Sequence, residues 1–294
     1  MTRDHHGNLP RVICACVDIG TNTTRVLVAD VKDGRLSEVR QERAFTRIGM
    51  APEIPREKIG EVARVVAEQV AVARDAGAAA VRVVATAAIR AAVNRDEFLA
   101  GMTVDVEILD EDEEARMAFL GATETLGAPL EGDVAVVDVG GGSTEIAIGT
   151  LADGVRWSSS FLVGSGALAD RYLRTDPPSL PELRAARDHA MDVLATRAFP
   201  AADCAVAVGG SAASLRTVVG DALDPRSLKR ALGVLCGGPC SDVAERYSLD
   251  ADRVRLLPAG ILILDSAAQR LRRPLQIGRG GLREGILLDM ARSL

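Results

Sequence analysis

The chain has 294 residues, of which 48% are hydrophobic and 26% are charged. That length is enough for about two domains with substantial cores, and the composition excludes a collagen, a coiled coil and a wholly disordered chain. With 35 Lys and Arg against 41 Asp and Glu, the net charge of −6 argues against a partner that is a nucleic acid or an acidic membrane.

Short β-branched segments alternate with helical patterns along the chain. The first half predicts strands at VICACVD, TRVLVAD, VRVVAT and VDVEIL, a helix over about residues 56–76 that ends at Gly77, and an acidic helix after Asp110. The second half predicts strands at VAVVDV, TEIAIG, VRWSSSFLV and CAVAVGG, a Pro-rich break at RTDPPSLP, and several helices. This alternation predicts an α/β protein.

Several common sites and locations are excluded. No apolar run approaches the roughly 18 residues of a membrane span, so we expect a cytoplasmic protein without membrane contact. Five Cys argue against a disulfide framework, and Cys236 and Cys240 lack the second pair or the nearby His of a zinc site. His189 lies in a polar helical segment, which argues against Ser-His-Asp catalysis. No Lys follows a Gly, so a Walker phosphate loop is absent.

The two halves of the chain contain a repeat. CVDIGTNTTRVLVADVKDG from Cys16 aligns with VVDVGGGSTEIAIGTLADG from Val136 at a constant offset of 120. Each copy predicts a strand, an Asp, a tight turn and a second strand. We therefore expect a duplicated domain, in which each copy opens with a β-hairpin and the two tips face each other across a cleft.

The second tip has the composition of a phosphate-binding loop. Gly140, Gly141, Gly142 and Ser143 allow several backbone N–H groups to point at one anion. Asp138, at the end of the preceding strand, is placed to hold Mg²⁺, the hard cation that accompanies phosphate oxygens. The alternative is that the glycines only form a hairpin turn. The first copy, which contains Asp18, Asn22 and Thr23, favours a functional site.

The copies have diverged at the position that follows the tip, where Arg25 in the first corresponds to Glu145 in the second. Arg25 offers a bidentate donor for phosphate, whereas the carboxylate of Glu145 is suited to orienting or deprotonating water. The alternative for Glu145 is an ordinary exposed strand residue.

Three further segments are candidates, each with a structural alternative. The acidic run from Asp110 to Glu114 offers a second carboxylate, although acidic residues also favour the first turn of any helix. Arg90 lies where a strand passes into a helix, a position suited to an anion. Gly209, Gly210 and Ser211 repeat the strand-then-glycine pattern. An arginine cluster near the C-terminus either guides a polyanion or reflects the general use of Arg in place of Lys; it consists of Arg270, Arg272, Arg273, Arg279 and Arg283.

Seven blocks along the chain resemble the Ppx/GppA family of exopolyphosphatases and guanosine pentaphosphate phosphohydrolases. They are VDIGTNTTRVLVADV, ATAAIRAAVN, VEILDEDEEARMAFLG, VVDVGGGSTEIAIG, VGGSAASL, LPAGILILD and GLREGILLD. They run from Val17 to Asp289, and the chain is similar to the short form without an additional C-terminal helical domain. The family usually has Ser-Gly where Asp110 and Glu111 stand, which adds negative charge beside an anion site.

The resemblance implies two actin-like domains of the sugar kinase/Hsp70/actin superfamily, RNase H-like in topology, with an interdomain cleft. The expected divisions are residues 1–126, joined by a C-terminal helix at 279–294, and residues 127–278. By resemblance, Glu145 positions the attacking water and Glu114 is the general base, with Glu113 as the alternative base. Asp138, with Asp18, would hold Mg²⁺ or Mn²⁺. The substrate phosphates would be bound by Asn22, Thr23, Arg25, Arg90, Gly140, Gly141, Gly142, Ser143, Gly209, Gly210 and Ser211.

The resulting prediction is a metal-dependent exopolyphosphatase that releases the terminal phosphate of inorganic polyphosphate. Guanosine pentaphosphate hydrolysis is the alternative reaction, since the residues do not separate the two substrates. An ATP-dependent kinase on the same fold is disfavoured by the carboxylate pair. A non-catalytic sensor that binds nucleotide or polyphosphate is the third alternative, and a homodimer is left open.

Overall fold

The computed structural model describes residues 12–126 and 130–293. Its first half forms a five-stranded sheet in the order β3-β2-β1-β4-β5. β1 is antiparallel to β2 and parallel to β4, and β2 is antiparallel to β3. These strands are β1 (Val12–Ile19), β2 (Thr24–Lys32), β3 (Arg35–Ala44), β4 (Ala80–Ala85) and β5 (Glu107–Ile108).

Four helices accompany this sheet: α1 (Arg56–Asp75), α2 (Ala87–Ala91), α3 (Arg95–Ala100) and α4 (Glu111–Glu124). The apolar face of α1 packs on β1 and β2, and the chain turns at Gly77, whose φ of +84° suits glycine. α4 begins at the N-cap Asp110, whose carboxylate accepts a hydrogen bond from the backbone N–H of Glu113 at 2.8 Å.

The second half repeats this topology with one extra strand. Its sheet has the order β10-β11-β9-β6-β7-β8, so β6, β7, β8, β9 and β11 correspond to the five strands of the first sheet. The hairpin β6–β7 is antiparallel and β9 runs parallel to β6, as in the first half. The strands are β6 (Val134–Val139), β7 (Thr144–Thr150), β8 (Gly154–Phe161), β9 (Cys204–Val208), β10 (Ala222–Leu223) and β11 (Leu275–Ile277).

The remaining helices include a buried one, α10, which packs on five helices of this half and on β6. The helices are α5 (Ser165–Tyr172), α6 (Leu180–Ala195), α7 (Gly209–Val219), α8 (Pro225–Leu235), α9 (Cys240–Tyr247), α10 (Ala251–Leu271) and α11 (Leu282–Ser293). The core of this half combines the inner faces of β6, β7 and β9 with α5 to α8 and α10.

Helices α4 and α11 cross between the two sheets. α4 packs Phe119 against the second sheet and Met117 against the first, where α11 covers β1 and β2. Gly121 and Gly285 let the helices approach, because a Cβ on Gly121 would lie 2.7 Å from the backbone nitrogen of Gly285. Full burial of side chains such as Met117 contributes roughly 1.5–3 kcal/mol each, which anchors the helix whose first turns carry Glu114.

The fold class is α/β, as predicted, and the two halves repeat one topology. The predicted domain boundary after residue 126 falls next to residues 127–129, which lie outside the described residues. Residues 1–11 and 294 also lie outside them. The proposed division into domains stays a prediction.

One strand was not predicted, and two predicted strands are shorter than expected. β3 was not predicted, because its side chains are polar on both faces, as suits an edge strand. Of the strand expected at VDVEIL, only Glu107 and Ile108 pair with a neighbour. The strand CAVAVGG ends at Val208, and its glycines already belong to α7. Among the described residues, no helix has the length and apolar character needed to cross a bilayer.

Candidate functional site

A cavity of about 160 Å³ lies where the tips of the β1–β2 and β6–β7 hairpins meet. Both tips contribute to its wall, together with the turn after β9, the segment before α11 and the first turns of α4 and α10. Most residues predicted from the sequence are in this wall: Asp18, Asn22, Thr23, Arg25, Glu114, Asp138, Gly140, Gly141, Gly142, Ser143, Glu145, Gly209 and Gly210. The structure confirms that the two tips form one site.

The two tips touch through glycines. A Cβ on Gly141 would lie 2.6 Å from Nδ2 of Asn22, and one on Gly142 would lie 2.6 Å from Oγ1 of Thr21, so any larger residue would push the tips apart. The backbone N–H groups of Gly141 and Gly142 form no backbone hydrogen bond within the described residues. They are therefore available to bind an anion, as a glycine-rich loop allows.

Five carboxylates line the cavity, and four of them, Asp18, Glu114, Asp138 and Glu145, were predicted from the sequence. Asp18 and Asp138 stand at the ends of β1 and β6, and Glu145 lies directly across the β6–β7 ladder from Asp138. Glu145 is only 3% exposed and Glu114 is 7% exposed. Ser160 on β8 donates a hydrogen bond to Oε1 of Glu145 at 2.9 Å. These buried acids are poised for chemistry and costly to hold charged without a partner.

Burial and mutual repulsion raise the pKa of these carboxyl groups. Burial, with the charges of Glu145 and Asp18, raises the pKa of Asp138 to about 7. Burial is also the main reason that the pKa of Glu145 is raised and that the pKa of Glu114 lies well above its usual value, with Glu145 adding to the latter. A general base works best when its pKa lies near the operating pH, so these shifts suit water activation.

The structure distinguishes Glu114 from its neighbour. Glu114 lines the cavity, and its Oε2 accepts a hydrogen bond from Nη1 of Arg90 at 2.8 Å. Glu113 lies outside the cavity wall, where its Oε1 is 2.9 Å from Nη2 of Arg82. Of the two alternatives for a base, geometry therefore favours Glu114.

Two predicted phosphate contacts lie elsewhere. Arg90 is not in the cavity wall: its guanidinium binds Glu114 and also donates to the carbonyl of Leu109 at 2.9 Å. The side chain of Ser211 is fully buried, and a Cβ on Gly260 would lie 2.5 Å from its Oγ. Arg90 therefore positions a carboxylate here, and Ser211 packs between α7 and α10 rather than facing the cavity.

Arginines surround the opposite side of the cavity. Arg25 and Arg253 approach Gly210, where a Cβ would lie 2.8 Å from a guanidinium nitrogen of each. Burial, followed by the charge of a neighbouring arginine, lowers the pKa of Arg25 to about 10 and that of Arg253 to about 9. Both groups stay charged at neutral pH and would gain from an anion between them.

The C-terminal arginine cluster divides in two. Arg279 and Arg283 line the cavity. Arg270 and Arg273 instead donate to backbone carbonyls outside it, and Arg272 ends α10 in a left-handed conformation. Of the five arginines in this cluster, Arg279 and Arg283 are therefore the two that are placed to contact a polyanion in the cavity.

The donor set fits a divalent cation that is shared with substrate. Within residues 12–126 and 130–293, no three acidic, His or Cys side chains converge closely enough to hold an ion by themselves. Asp138 and Asp18 supply carboxylate oxygens near the glycine tips. Burial, and then the charges of Glu145 and Asp18, raise the pKa of Asp138, and a bound cation would favour its charged form. Mg²⁺ commonly binds through one or two carboxylates, with water and substrate phosphates completing its shell.

Sequence reasoning missed Arg253, the most buried arginine of the site. It follows the N-cap of α10 by three residues and is 6% exposed. Glu284 and Ser165, which also line the cavity, were missed as well. The only local signal for Arg253 was its place at a helix start, and nothing in the sequence separates it from exposed Arg255 nearby.

Comparison with known proteins agrees with this geometry. The family model described as the Ppx/GppA phosphatase family matches residues 27–294. The chain belongs to the Ppx/GppA phosphatase family. The crystal structure of the Aquifex aeolicus member of this family superposes with a TM-score of 0.80 at 27% identity, covering 97% of this chain and 99% of that one.

Two curated relatives are exopolyphosphatases by name. Exopolyphosphatase 2 of Mycobacterium tuberculosis is 36% identical over 191 residues, which cover 59% of this chain and 59% of that protein. Exopolyphosphatase 1 of Mycobacterium bovis is 26% identical over 298 residues, which cover 92% of this chain and 86% of that protein. The Ppx/GppA match to this chain is therefore extensive, whereas the higher-identity match covers little more than half of either protein.

Proposed function

We propose that this protein is an exopolyphosphatase that hydrolyses the terminal phosphoanhydride bond of inorganic polyphosphate with the help of Mg²⁺ or Mn²⁺. The observation that carries the proposal is the junction of the two hairpin tips, where anion-binding glycines face two buried glutamates. The names of the mycobacterial relatives support the same substrate.

In the proposed reaction, the oxygen of a water molecule bonds to the terminal phosphorus. Glu145 holds that water, and Glu114 accepts its proton. The bridging P–O bond breaks, and its electron pair leaves on the shortened chain. Arg90 keeps Glu114 oriented through the 2.8 Å contact. The products are one phosphate and a polymer shorter by one unit.

The cavity stabilises the charge of this reaction. The free N–H groups of Gly141 and Gly142 receive the terminal phosphate, and Arg25 and Arg253 neutralise phosphates behind it. A cation bound by Asp138 and Asp18 would supply further charge neutralisation on the phosphate oxygens. Positioning and electrostatics then provide most of the rate, as is general for phosphoryl transfer.

A phosphate-release panel tests this function. The purified protein is given long-chain polyphosphate, guanosine pentaphosphate or ATP, each with Mg²⁺ and with a chelator. We expect fastest release from polyphosphate, loss of release in chelator, and a fall of about 10²–10⁴-fold in Glu114→Gln. Glu113→Gln is the matched control, because it removes the same charge one residue away and outside the cavity.

The alternative functions give different results in the same panel. Preference for guanosine pentaphosphate would identify a nucleotide hydrolase with the same chemistry. Tight binding of either ligand without turnover in Mg²⁺ or Mn²⁺ would indicate a sensor, and phosphate transfer from ATP to an acceptor would indicate a kinase. Equal release by wild type and Glu114→Gln would contradict the assignment of the base.

A further inference from the structure

A second cavity of about 500 Å³ continues the first one toward β3 and α7. The two cavities share five lining residues: Arg25, Gly210, Ala213, Arg253 and Arg283. The second cavity is therefore reached directly from the catalytic one. Gln41, Glu42, Arg43 and Ser214 complete its wall.

Positive charge dominates this second cavity. Four of its nine lining residues are arginines, and Glu42 is the one carboxylate among the described residues of its wall. Arg25 lies directly opposite Arg43 in the β2–β3 ladder. Like charges in that position are destabilising, so a sheet that holds them, with two more arginines alongside, gains from an anion between them.

Two arginines of this group, buried Arg253 and half-buried Arg283, have no salt-bridge partner among the described residues. Arg253 and Arg283 form no hydrogen bond or salt bridge within the described ranges, and the buried Nε of Arg253 has no partner at all there. Arg43 approaches only Asp250, at 4.0 Å. Burial, and then the charges of Arg25 and Arg43, lower the pKa of Arg253, while the charge of Asp250 opposes that shift. Buried donors without partners call for an explanation, and a ligand supplies one.

The shape and composition of its wall indicate which kind of ligand the second cavity binds. None of its nine lining residues is aromatic, so the wall offers no ring on which a nucleotide base could stack. The first cavity, at about 160 Å³, is small beside the second, at about 500 Å³. An extended anion that ends at the glycine tips and continues past Arg25 would meet charged donors along its whole path.

We propose that this second cavity binds the phosphates that follow the scissile bond of linear polyphosphate, and that Arg43 at its outer end determines the preference for long chains. The inference rests on the proposed function, because it assumes that the chain terminus lies at the glycine tips. Arg43 is a specificity residue: it touches the distant part of the substrate and takes no part in bond cleavage.

The test is the ratio of kcat/KM for long-chain polyphosphate to kcat/KM for tripolyphosphate at constant ionic strength. In Arg43→Gln we expect this ratio to fall about five-fold, the effect of losing one partly exposed charged contact. Arg35→Gln, which removes the same charge at the exposed far end of β3, should keep the wild-type ratio. Arg43→Lys should recover most of the loss if charge is what matters.

A binding measurement separates failure of this inference from failure of the proposed function. In chelator, the dissociation constant for long-chain polyphosphate should rise about five-fold in Arg43→Gln and stay constant in Arg35→Gln. An unchanged constant in Arg43→Gln, or an unchanged kcat/KM ratio in an active enzyme, would overturn the inference. If wild type releases no phosphate but shows the expected binding difference, the proposed activity fails while the polyphosphate subsite stands.

Discussion

The two hairpins of this molecule share a topology and differ in the residue that faces the Asp at each tip. In the first, Asp18 faces Arg25 across the ladder; in the second, Asp138 faces Glu145 in the same register. An opposite-charge pair directly across two strands is stabilising, and a like-charge pair is destabilising. The first hairpin is thus largely compensated by itself, whereas the second holds an excess of negative charge that only a proton, a cation or a partner side chain can offset.

The surroundings extend this difference. Around Arg25 stand Arg253 and Arg283, which form no salt bridge among the described residues, and the buried Nε of Arg253 has no hydrogen-bond partner there. Around Glu145 stand Glu114 and Ser160, a second carboxyl group and a hydrogen-bond donor. After the duplication, the residue across from the Asp is a cation suited to an anionic substrate in one tip and a carboxylate suited to a water molecule in the other.

The strongest test of this division removes the differing residue in each hairpin. Glu145→Gln should lower kcat for phosphate release by about 10³-fold, because the neutral amide lacks the negative charge that orients the water. Arg25→Gln should act mainly through KM, since Arg25 contacts phosphates in the ground state as well as in the transition state. Steady-state kinetics on polyphosphate separate the two.

Two results would contradict the comparison. If Arg25→Gln lowered kcat as much as Glu145→Gln with KM unchanged, both tips would serve the chemical step. If Glu145→Gln changed only KM, the second tip would be a binding element. Glu124→Gln, an exposed charge removal on α4 beyond the cavity, controls for general electrostatic effects.

Sequence reasoning found the duplicated tips because each combines a strand, an Asp and a glycine or hydroxyl turn within about ten residues. It also placed Glu114 and Glu145 in the wall of one cavity, which the structure confirms. These predictions depend on local sequence. The residues of each hairpin determine its turn, and the repeat predicts that both halves of the chain contain the same kind of turn.

The rest depends on contacts between distant segments. Arg90 lies at the predicted strand-to-helix junction, but its partner Glu114 is on another helix, so its role could not be read from its neighbours. Arg253 is buried because α10 packs beside the tips, a fact that its local sequence does not contain. β3 has no apolar alternation, yet its pairing with β2 places Arg43 opposite Arg25.

The like-charge pair also predicts a stability difference. Because the pKa of Asp138 is raised to about 7, the folded protein without metal holds a proton there that the unfolded chain releases near pH 4. The stabilisation that this proton gives to the folded state is complete below about pH 4 and is lost as the pH rises through about 7. In chelator at pH 8, Asp138→Asn should therefore exceed wild type by about 2 kcal/mol in unfolding free energy, and the two should converge near pH 4.

Urea unfolding at the two pH values measures this effect. Asp18→Asn is the matched variant, and we expect a smaller gain because Arg25 already compensates Asp18. Added Mg²⁺ should raise the stability of wild type and not that of Asp138→Asn. An equal gain for both variants at pH 8 would show that burial alone, and not the like-charge pair, sets the cost.

The smallest expected effect concerns the hydrogen bond from Ser160 to Glu145. Ser160→Ala removes a donor that favours the charged carboxylate, so the pKa of Glu145 rises further and the acid limb of the kcat profile moves up by about half a pH unit. Above that limb kcat should stay within about two-fold of wild type. Ser159→Ala, the neighbouring serine on β8, should leave the limb in place. A uniform fall of kcat at every pH would instead mean that Ser160 supports the strand rather than the charge of Glu145.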